Sequence, residues 1–90
     1  MIVQYHIMIS GHVQGIFFRA FVQSHAKSLN LKGYVKNLPT GEVEMQVVGE
    51  EKNIEELLRI CKIQHPLAQI ENIVVKKGKP TDQFDGFEVL

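Results

Sequence analysis

The stretch GHVQGIFFR, residues 11–19, combines several features that could bind an anion. Gly11 and Gly15 bracket a turn, and glycine lets the backbone approach a ligand closely and adopt positive φ. The stretch has no Ser, Thr, Asp or Asn to cap a helix, so the first backbone N–H groups of a helix here would stay free. These N–H groups, the positive end of the helix dipole and the planar guanidinium of Arg19 together favour a tetrahedral anion such as phosphate.

The same features also have a simpler interpretation. Gly-X-X-X-Gly by itself marks only a loop, and an arginine in a first helical turn is usually solvated and slightly opposes the helix dipole. The phosphate interpretation is therefore strengthened if the fold brings a second polar side chain to the same place.

The hydrophobic pattern predicts the elements that would position this loop. Residues 2–9 alternate, with an apolar residue at every odd position from 3 to 9, which is typical of a strand. From Phe18 onward the apolar spacing is helical, and Asn30 suits the left-handed position that follows a helix end. The other predicted elements are a strand over 34–37, a strand over 42–48 that Gly49 breaks, a helix around 54–61 that ends at His65-Pro66, a strand over 70–76, a polar loop over 77–83 and a short strand over 84–90.

The order β-α-β-β-α-β, followed by a short fifth strand, predicts an α+β protein with a ferredoxin-like α/β sandwich fold. In this fold the sheet is mainly antiparallel and both helices cover one face. The third strand lies between the first two, which run in the same direction. The loop after the first strand and Asn37 at the end of the second should therefore emerge at one edge, roughly 10 Å apart. Asn37 is thus the second polar side chain, beside the helix that carries Arg19.

Composition narrows the possible partners and location. Ninety residues predict a single domain spanning 1–90. Ten basic and ten acidic side chains cancel, which argues against nucleic acid or a membrane surface as a partner. The single cysteine, Cys61, cannot form an internal disulfide and favours a cytoplasmic protein, and no apolar run approaches transmembrane length. A monomer is the default expectation, because the sequence is silent on oligomeric state.

Three ordered segments of the chain resemble the acylphosphatase family. The family pattern runs Gly-X-Val-Gln-Gly-Val-X-Phe-Arg, then Gly-aromatic-Val-X-Asn, then Gly-X-Val-Glu. Here GHVQGIFFR, GYVKN and GEVE occupy 11–19, 33–37 and 41–44, with Ile16 as a conservative change. His65-Pro66-Leu67-Ala68 stands where the family often has Gly-Pro-X-Ala. The resemblance covers essentially the whole chain.

The resemblance implies an activity, the hydrolysis of the carboxyl–phosphate bond of acyl phosphates to carboxylate and inorganic phosphate. It implies that Arg19 binds the phosphate and that Asn37 orients the attacking water. It implies no metal, no other cofactor and no covalent enzyme intermediate. The backbone cradle for the phosphate is implied to come from the amides of His12, Val13, Gln14, Gly15, Ile16 and Phe17.

The chemistry of such a substrate agrees with these roles. An acyl phosphate already has a good leaving group, so the protein must mainly hold the phosphoryl group, spread its charge and place water in line. Arg19, a nest of amides and Asn37 can do this. Because an asparagine is not a strong base, we hypothesise that the proton of the water leaves through an oxygen of the substrate's own phosphate.

For several histidine, phenylalanine and cysteine residues, a structural role explains the sequence better than a functional one. His12 invites a phosphohistidine nucleophile, but it has no nearby acidic partner in sequence, so we expect an exposed loop side chain. The other histidines lack metal-ligand spacing. We expect Phe17, Phe18 and Phe21 to lie mostly in the core, and Cys61 to be a buried small apolar residue.

Two alternative functions remain. An RNA-binding domain can share this order of elements, but it needs stacking aromatics on its first and third strands, and residues 42–48 contain none. A domain that holds phosphate or carbamoyl phosphate without turnover could use the same loop. Arg19 and Asn37 together favour catalysis, since binding alone does not require a water-orienting amide.

Overall fold

The computed structural model describes residues 1–90 and contains five strands and two helices. All five strands belong to one sheet. The element bounds, in chain order, are β1 Ile2–His12, α1 Phe18–Ser28, β2 Lys32–Asn37, β3 Val43–Glu50, α2 Glu51–Ile63, β4 Gln69–Gly78 and β5 Phe87–Val89.

The strand order in the sheet is β4-β1-β3-β2-β5. β1 pairs antiparallel with β3 and β4, and β2 pairs antiparallel with β3. β5 pairs with β2 in the parallel direction. The mainly antiparallel, ferredoxin-like sheet predicted from the order of elements is confirmed, and β3 separates β1 from β2 as expected.

The core lies between the sheet and the two helices. The odd residues of β1 from 3 to 9 are all buried, as the alternation predicted, and they face the apolar stripes of both helices. α1 buries Phe18, Val22 and Ala26, while α2 buries a stripe that includes Leu57 and Cys61. The helices have 11 and 13 residues, and neither is long and apolar enough to span a membrane.

β1 is longer than the predicted strand, which ended at residue 9. Its pairing with β4 shifts register between Ser10 and Gly11 and then continues to His12. Gly11 allows this irregularity because its φ is +125°, and a Cβ there would lie 2.1 Å from the backbone oxygen of Gln69. The glycine that sequence reasoning placed in the loop is therefore part of the strand.

α1 ends in the way that Asn30 predicted. Asn30 adopts φ 58°, and its N–H donates to the carbonyl of Lys27. The N–H of Leu31 donates to the carbonyl of Ala26 at 2.9 Å, which completes a Schellman motif.

Other predicted boundaries also differ from the structure, including the start of β2, which lies at Lys32 and not at residue 34. β3 does not stop at Gly49 but runs to Glu50, and α2 begins at once, because Gly49 pairs with Val3 and packs against Leu31. β4 extends to Gly78 because its polar end still pairs with β1. The last strand covers only Phe87–Val89, since just three of its residues pair with β2.

Candidate active site

A cleft of about 330 Å³ opens where the loop before α1 meets the ends of β2 and β5. Arg19 and Asn37, which sequence reasoning placed at one edge of the sheet, both line it. Arg19 is the only charged residue of the lining. The eight lining residues are Val13, Gly15, Phe17, Phe18, Arg19, Ala20, Asn37 and Val89.

The loop backbone presents free N–H groups to this region. Gly15 has φ 74° and Phe17 has φ 62°, so the sign of φ alternates along the loop, as it does in anion-binding nests. Residues 13–17 donate none of the backbone hydrogen bonds that hold turns, loops and caps, and no side chain caps α1 at its N-terminus. These amides stand beside the positive end of the α1 dipole.

The side chain of Gln14 holds the loop against the turn that follows β2. Its Nε2 donates to the carbonyl oxygens of Leu38 and Glu42, each at 2.9 Å. Because Leu38 follows Asn37 directly, this clamp fixes the loop relative to Asn37. Sequence reasoning gave Gln14 only a backbone role, and no local signal reveals partners so distant in sequence.

Arg19 is half-buried in the first turn of α1 and takes part in none of the ion pairs of the chain. Its Nη1 donates to the backbone oxygen of Leu90 at 2.6 Å. Leu90 is itself held by β2, since its N–H donates to the carbonyl of Val35 at 2.9 Å. This contact fixes one arm of the guanidinium and leaves its other N–H donors for a ligand.

Asn37 is half-buried at the end of β2. Its Oδ1 is buried and accepts no hydrogen bond within the chain. Buried polar atoms almost always have a partner, so an unpartnered amide oxygen in a cleft points to a bound donor. This atom could accept a hydrogen bond from a water molecule.

Three residues of the predicted cradle, His12, Gln14 and Ile16, are not among those that line the cleft. His12 belongs to β1, pairs with Gln69 and is exposed, so its imidazole is not placed to attack a bound phosphoryl group. Ile16 is buried, with 8% of its surface exposed. Val13, Gly15 and Phe17 do line the cleft.

The expectation that Phe17 lies in the core is wrong. Its side chain is 85% exposed, whereas Phe18 is buried and Phe21 is half-buried. The reason is the left-handed backbone at Phe17, which turns this side chain off the buried stripe that Phe18 begins. Val89 of β5 was also missed, because only pairing with β2 brings it to the cleft.

Other titratable groups lie away from the cleft. On the open face of the sheet, His6 contacts Glu44 at 2.8 Å and holds the pKa of that carboxyl below its usual range, with help from the Tyr34 hydroxyl. Burial raises the pKa of the Cys61 thiol to about 12, so this cysteine is protonated at neutral pH. No group of three or more His, Cys, Asp or Glu side chains could hold a metal ion.

Comparison with known proteins gives one consistent result. The family model described as Acylphosphatase matches residues 5–89. An acylphosphatase of Caldivirga maquilingensis is 40% identical over 97% of this chain and 93% of its own length. The crystal structure of acylphosphatase from Bacillus subtilis superposes with a TM-score of 0.92 at 32% identity, covering 100% of this chain and 99% of that one.

A larger protein contains a similar domain. T. kodakarensis HypF matches with a TM-score of 0.82 at 38% identity, but the match covers 98% of this chain and only 12% of HypF. The Caldivirga and Bacillus proteins, in contrast, match over nearly their whole length. The family match, the full-length relatives and the shared fold together show that this chain belongs to the acylphosphatase family.

Proposed function

We propose that this acylphosphatase hydrolyses the carboxyl–phosphate bond of acyl phosphates in the cleft beside α1. Arg19 and the amides of residues 12–17, chiefly those facing the cleft, bind the phosphoryl group, and Asn37 orients the attacking water. The observation that carries the proposal is the pairing, in one cleft, of an arginine that forms no ion pair with an Asp or Glu side chain and a buried amide oxygen without a hydrogen bond.

Binding of the phosphoryl group rests on charge and geometry. The planar guanidinium of Arg19 can donate two parallel hydrogen bonds to phosphate oxygens. Free loop amides at the N-terminus of α1 add donors that need no reorganisation when charge shifts in the transition state. The contact from Arg19 to Leu90 limits the rotamers of the arginine, which lowers the entropy cost of binding.

The chemical step follows from the position of Asn37. Its Oδ1 accepts a hydrogen bond from water, whose oxygen attacks phosphorus in line with the carboxyl oxygen. A P–O bond to water forms, the bond between phosphorus and the carboxyl oxygen breaks, and the carboxylate leaves with the electron pair. The proton of the water passes to a phosphate oxygen, so the products are carboxylate and dihydrogen phosphate, with no side chain acting as a base.

The proposal also covers the location of the protein, its domain organisation, its oligomeric state and the size of its substrate. We place the protein in the cytoplasm as one domain over 1–90, acting as a monomer on a small substrate, with inorganic phosphate as product and inhibitor. The free and buried Cys61 is consistent with a reducing compartment. The balanced charge of the chain supports a small-molecule substrate over nucleic acid or a membrane surface.

A non-catalytic domain that binds phosphate or carbamoyl phosphate is the second candidate. The observation that favours it is the likeness to 12% of HypF, in which a domain of this kind is part of a larger chain. The unpartnered Oδ1 of Asn37 favours catalysis, since a site that only holds an anion needs donors and not an acceptor.

The test is the rate of hydrolysis of acetyl phosphate and benzoyl phosphate in EDTA. We expect Arg19→Ala and Asn37→Ala to lower kcat/KM by at least about 100-fold, the cost of losing one transition-state donor or water-orienting group. Arg59→Ala and Asn72→Ala are matched controls, because both side chains are exposed and outside the cleft. Circular dichroism confirms that each variant folds.

Each outcome separates the candidates. Turnover that falls in both cleft variants and persists in both controls supports the proposed roles. Absent turnover, combined with a phosphate-dependent rise in the melting temperature that Arg19→Ala abolishes, would identify the non-catalytic binding domain. Full activity in Arg19→Ala or Asn37→Ala would refute the role given to that residue.

A further inference from the structure

The aromatic ring of Phe17 has no role in the core or in the backbone conformation of the loop. Its side chain is 85% exposed, and it joins none of the aromatic pairs that Phe18 and Phe21 form with each other and with His65. Its φ of 62° lies in the left-handed region, which Asn or Gly adopts with less strain than Phe. The ring therefore stands at the mouth of the active cleft at a cost to folding, and strained residues of this kind cluster where ligands bind.

The remaining lining of the cleft extends this apolar surface. Ala20 is exposed on α1, and Val89, which is 39% exposed, comes from β5. Apart from Arg19 and Asn37, which the phosphoryl group and the water engage, the lining offers no polar side chain. A charged or strongly polar acyl group would therefore find no partner here and would lose hydration without compensation.

We propose that Phe17, with Ala20 and Val89, forms the acyl-binding wall of the active site, and that the enzyme prefers acyl phosphates with an aromatic or bulky apolar acyl group. This inference rests on the proposed function. The phosphoryl end sits on Arg19 and the loop amides, and the acyl group extends along the wall, where the ring of Phe17 can stack on a planar group. Contact between the acyl group and this wall also positions the carboxyl oxygen, which is the leaving group. We therefore expect the wall to affect kcat/KM.

The experiment compares kcat/KM for benzoyl phosphate and acetyl phosphate in the wild type, Phe17→Asn and Phe17→Tyr. These substrates share the phosphoryl group and differ in the acyl group. The ratio of the two constants, compared between variants, cancels the intrinsic difference in reactivity. Any general disturbance of the loop lowers both constants together, whereas loss of the wall lowers the constant for benzoyl phosphate specifically.

We expect Phe17→Asn to lower the benzoyl-to-acetyl ratio by about tenfold, the usual worth of an apolar contact in substrate discrimination. Asn tolerates the left-handed backbone, so the variant should fold, and Phe17→Gly provides the same test if it does not. Phe17→Tyr keeps the ring and should keep the ratio within about twofold. Ile63→Asn removes an apolar side chain that is 64% exposed and lies outside the cleft, and it should leave both constants unchanged.

The possible results distinguish this inference from the proposed function. A ratio that stays constant in Phe17→Asn, while both substrates are hydrolysed, overturns the acyl-binding wall and leaves the roles of Arg19 and Asn37 intact. An equal fall in the ratio for Ile63→Asn also overturns it, because the effect would not be local. Absence of turnover with both substrates in the folded wild type would overturn the proposed function and this inference with it.

Discussion

Arg19 is the only charged residue that lines the cleft. The geometry of its guanidinium group can therefore be tested separately from its positive charge. Lysine at this position would keep the charge but lose the planar fork and the reach to the backbone of Leu90. We expect Arg19→Lys to lower kcat/KM for acetyl phosphate by about 100-fold or more, since it removes preorganised donors. Steady-state kinetics measures this, with Arg59→Lys as the matched exposed control. Near-normal activity in Arg19→Lys would mean that charge alone suffices.

The two glycines of the loop motif differ in what they contribute to the fold. A Cβ at Gly15 would meet nothing within 4 Å. We therefore expect Gly15→Ala to lower the free energy of unfolding only by the strain of a left-handed backbone at alanine, about 1 to 2 kcal/mol. A Cβ at Gly11 would lie 2.1 Å from the Gln69 oxygen and 2.8 Å from the Glu71 nitrogen. We expect Gly11→Ala to lower the free energy of unfolding by at least about 3 kcal/mol, because β1 and β4 must separate. Urea denaturation of both variants decides this, and equal losses would contradict it.

At the scale of elements, Gln14 joins the phosphate loop to the turn between β2 and β3. Gln14→Met keeps the length of the side chain but removes the donor to Leu38 and Glu42. Two partly buried carbonyls then lose a partner, so we expect a loss of about 2 kcal/mol of stability, or roughly 10 °C in melting temperature. Because Asn37 precedes the released turn, kcat should also fall by about tenfold.

A control for Gln14 comes from the open face of the sheet. Gln4 also donates from Nε2 to a distant partner, Gln46, at 2.9 Å, and it lies outside the cleft. Gln4→Met should lower the melting temperature without changing kcat. If both variants lost activity to the same degree, the clamp would have no special role in positioning Asn37.

The elements also show what sequence can predict. The local hydrophobic periodicity correctly predicted the buried face of β1, and Asn30 correctly predicted the end of α1. Both features depend on residues that are close together along the chain. Long-range pairing decided the rest. The extension of β1 past Ser10 requires β4, and the continuation of β3 through Gly49 requires β1 and the side chain of Leu31.

The candidate site divides in the same way. Arg19 and Asn37 could be named from motif and topology, because a parallel pair of strands separated by one strand brings their ends to one edge. The exposure of Phe17 could not be predicted from the sequence, because it follows from the left-handed backbone of one residue in a segment whose pattern is apolar and helical. The contact of Arg19 with Leu90 joins residues 71 positions apart and has no local signature.

At the scale of the whole molecule, the open face of the sheet carries a polar network centred on Glu44 of β3. Its carboxylate contacts His6 of β1 at 2.8 Å and the hydroxyl of Tyr34 on β2 at 3.1 Å, and Lys36 stands 3.8 Å away. The hydrogen bond with His6 is the main cause that lowers the pKa of Glu44, and partial burial opposes it. The ionised carboxylate therefore ties together the three central strands.

This network makes part of the stability depend on pH, with a definite sign. Because the pKa of Glu44 is lower in the fold than its ordinary value of 4.5, the unfolded chain binds its proton first as the pH falls. The contribution is fully present above that ordinary value and is lost as the pH falls through the folded pKa. We expect Glu44→Gln to lower the free energy of unfolding clearly at about pH 6 and less at about pH 3, because the contribution of the charge shrinks as the carboxyl takes up a proton below its ordinary pKa. Urea titrations at both pH values measure the difference, with the exposed Glu71→Gln as control. A difference of equal size at both pH values would show that the charge of Glu44 does not stabilise the sheet.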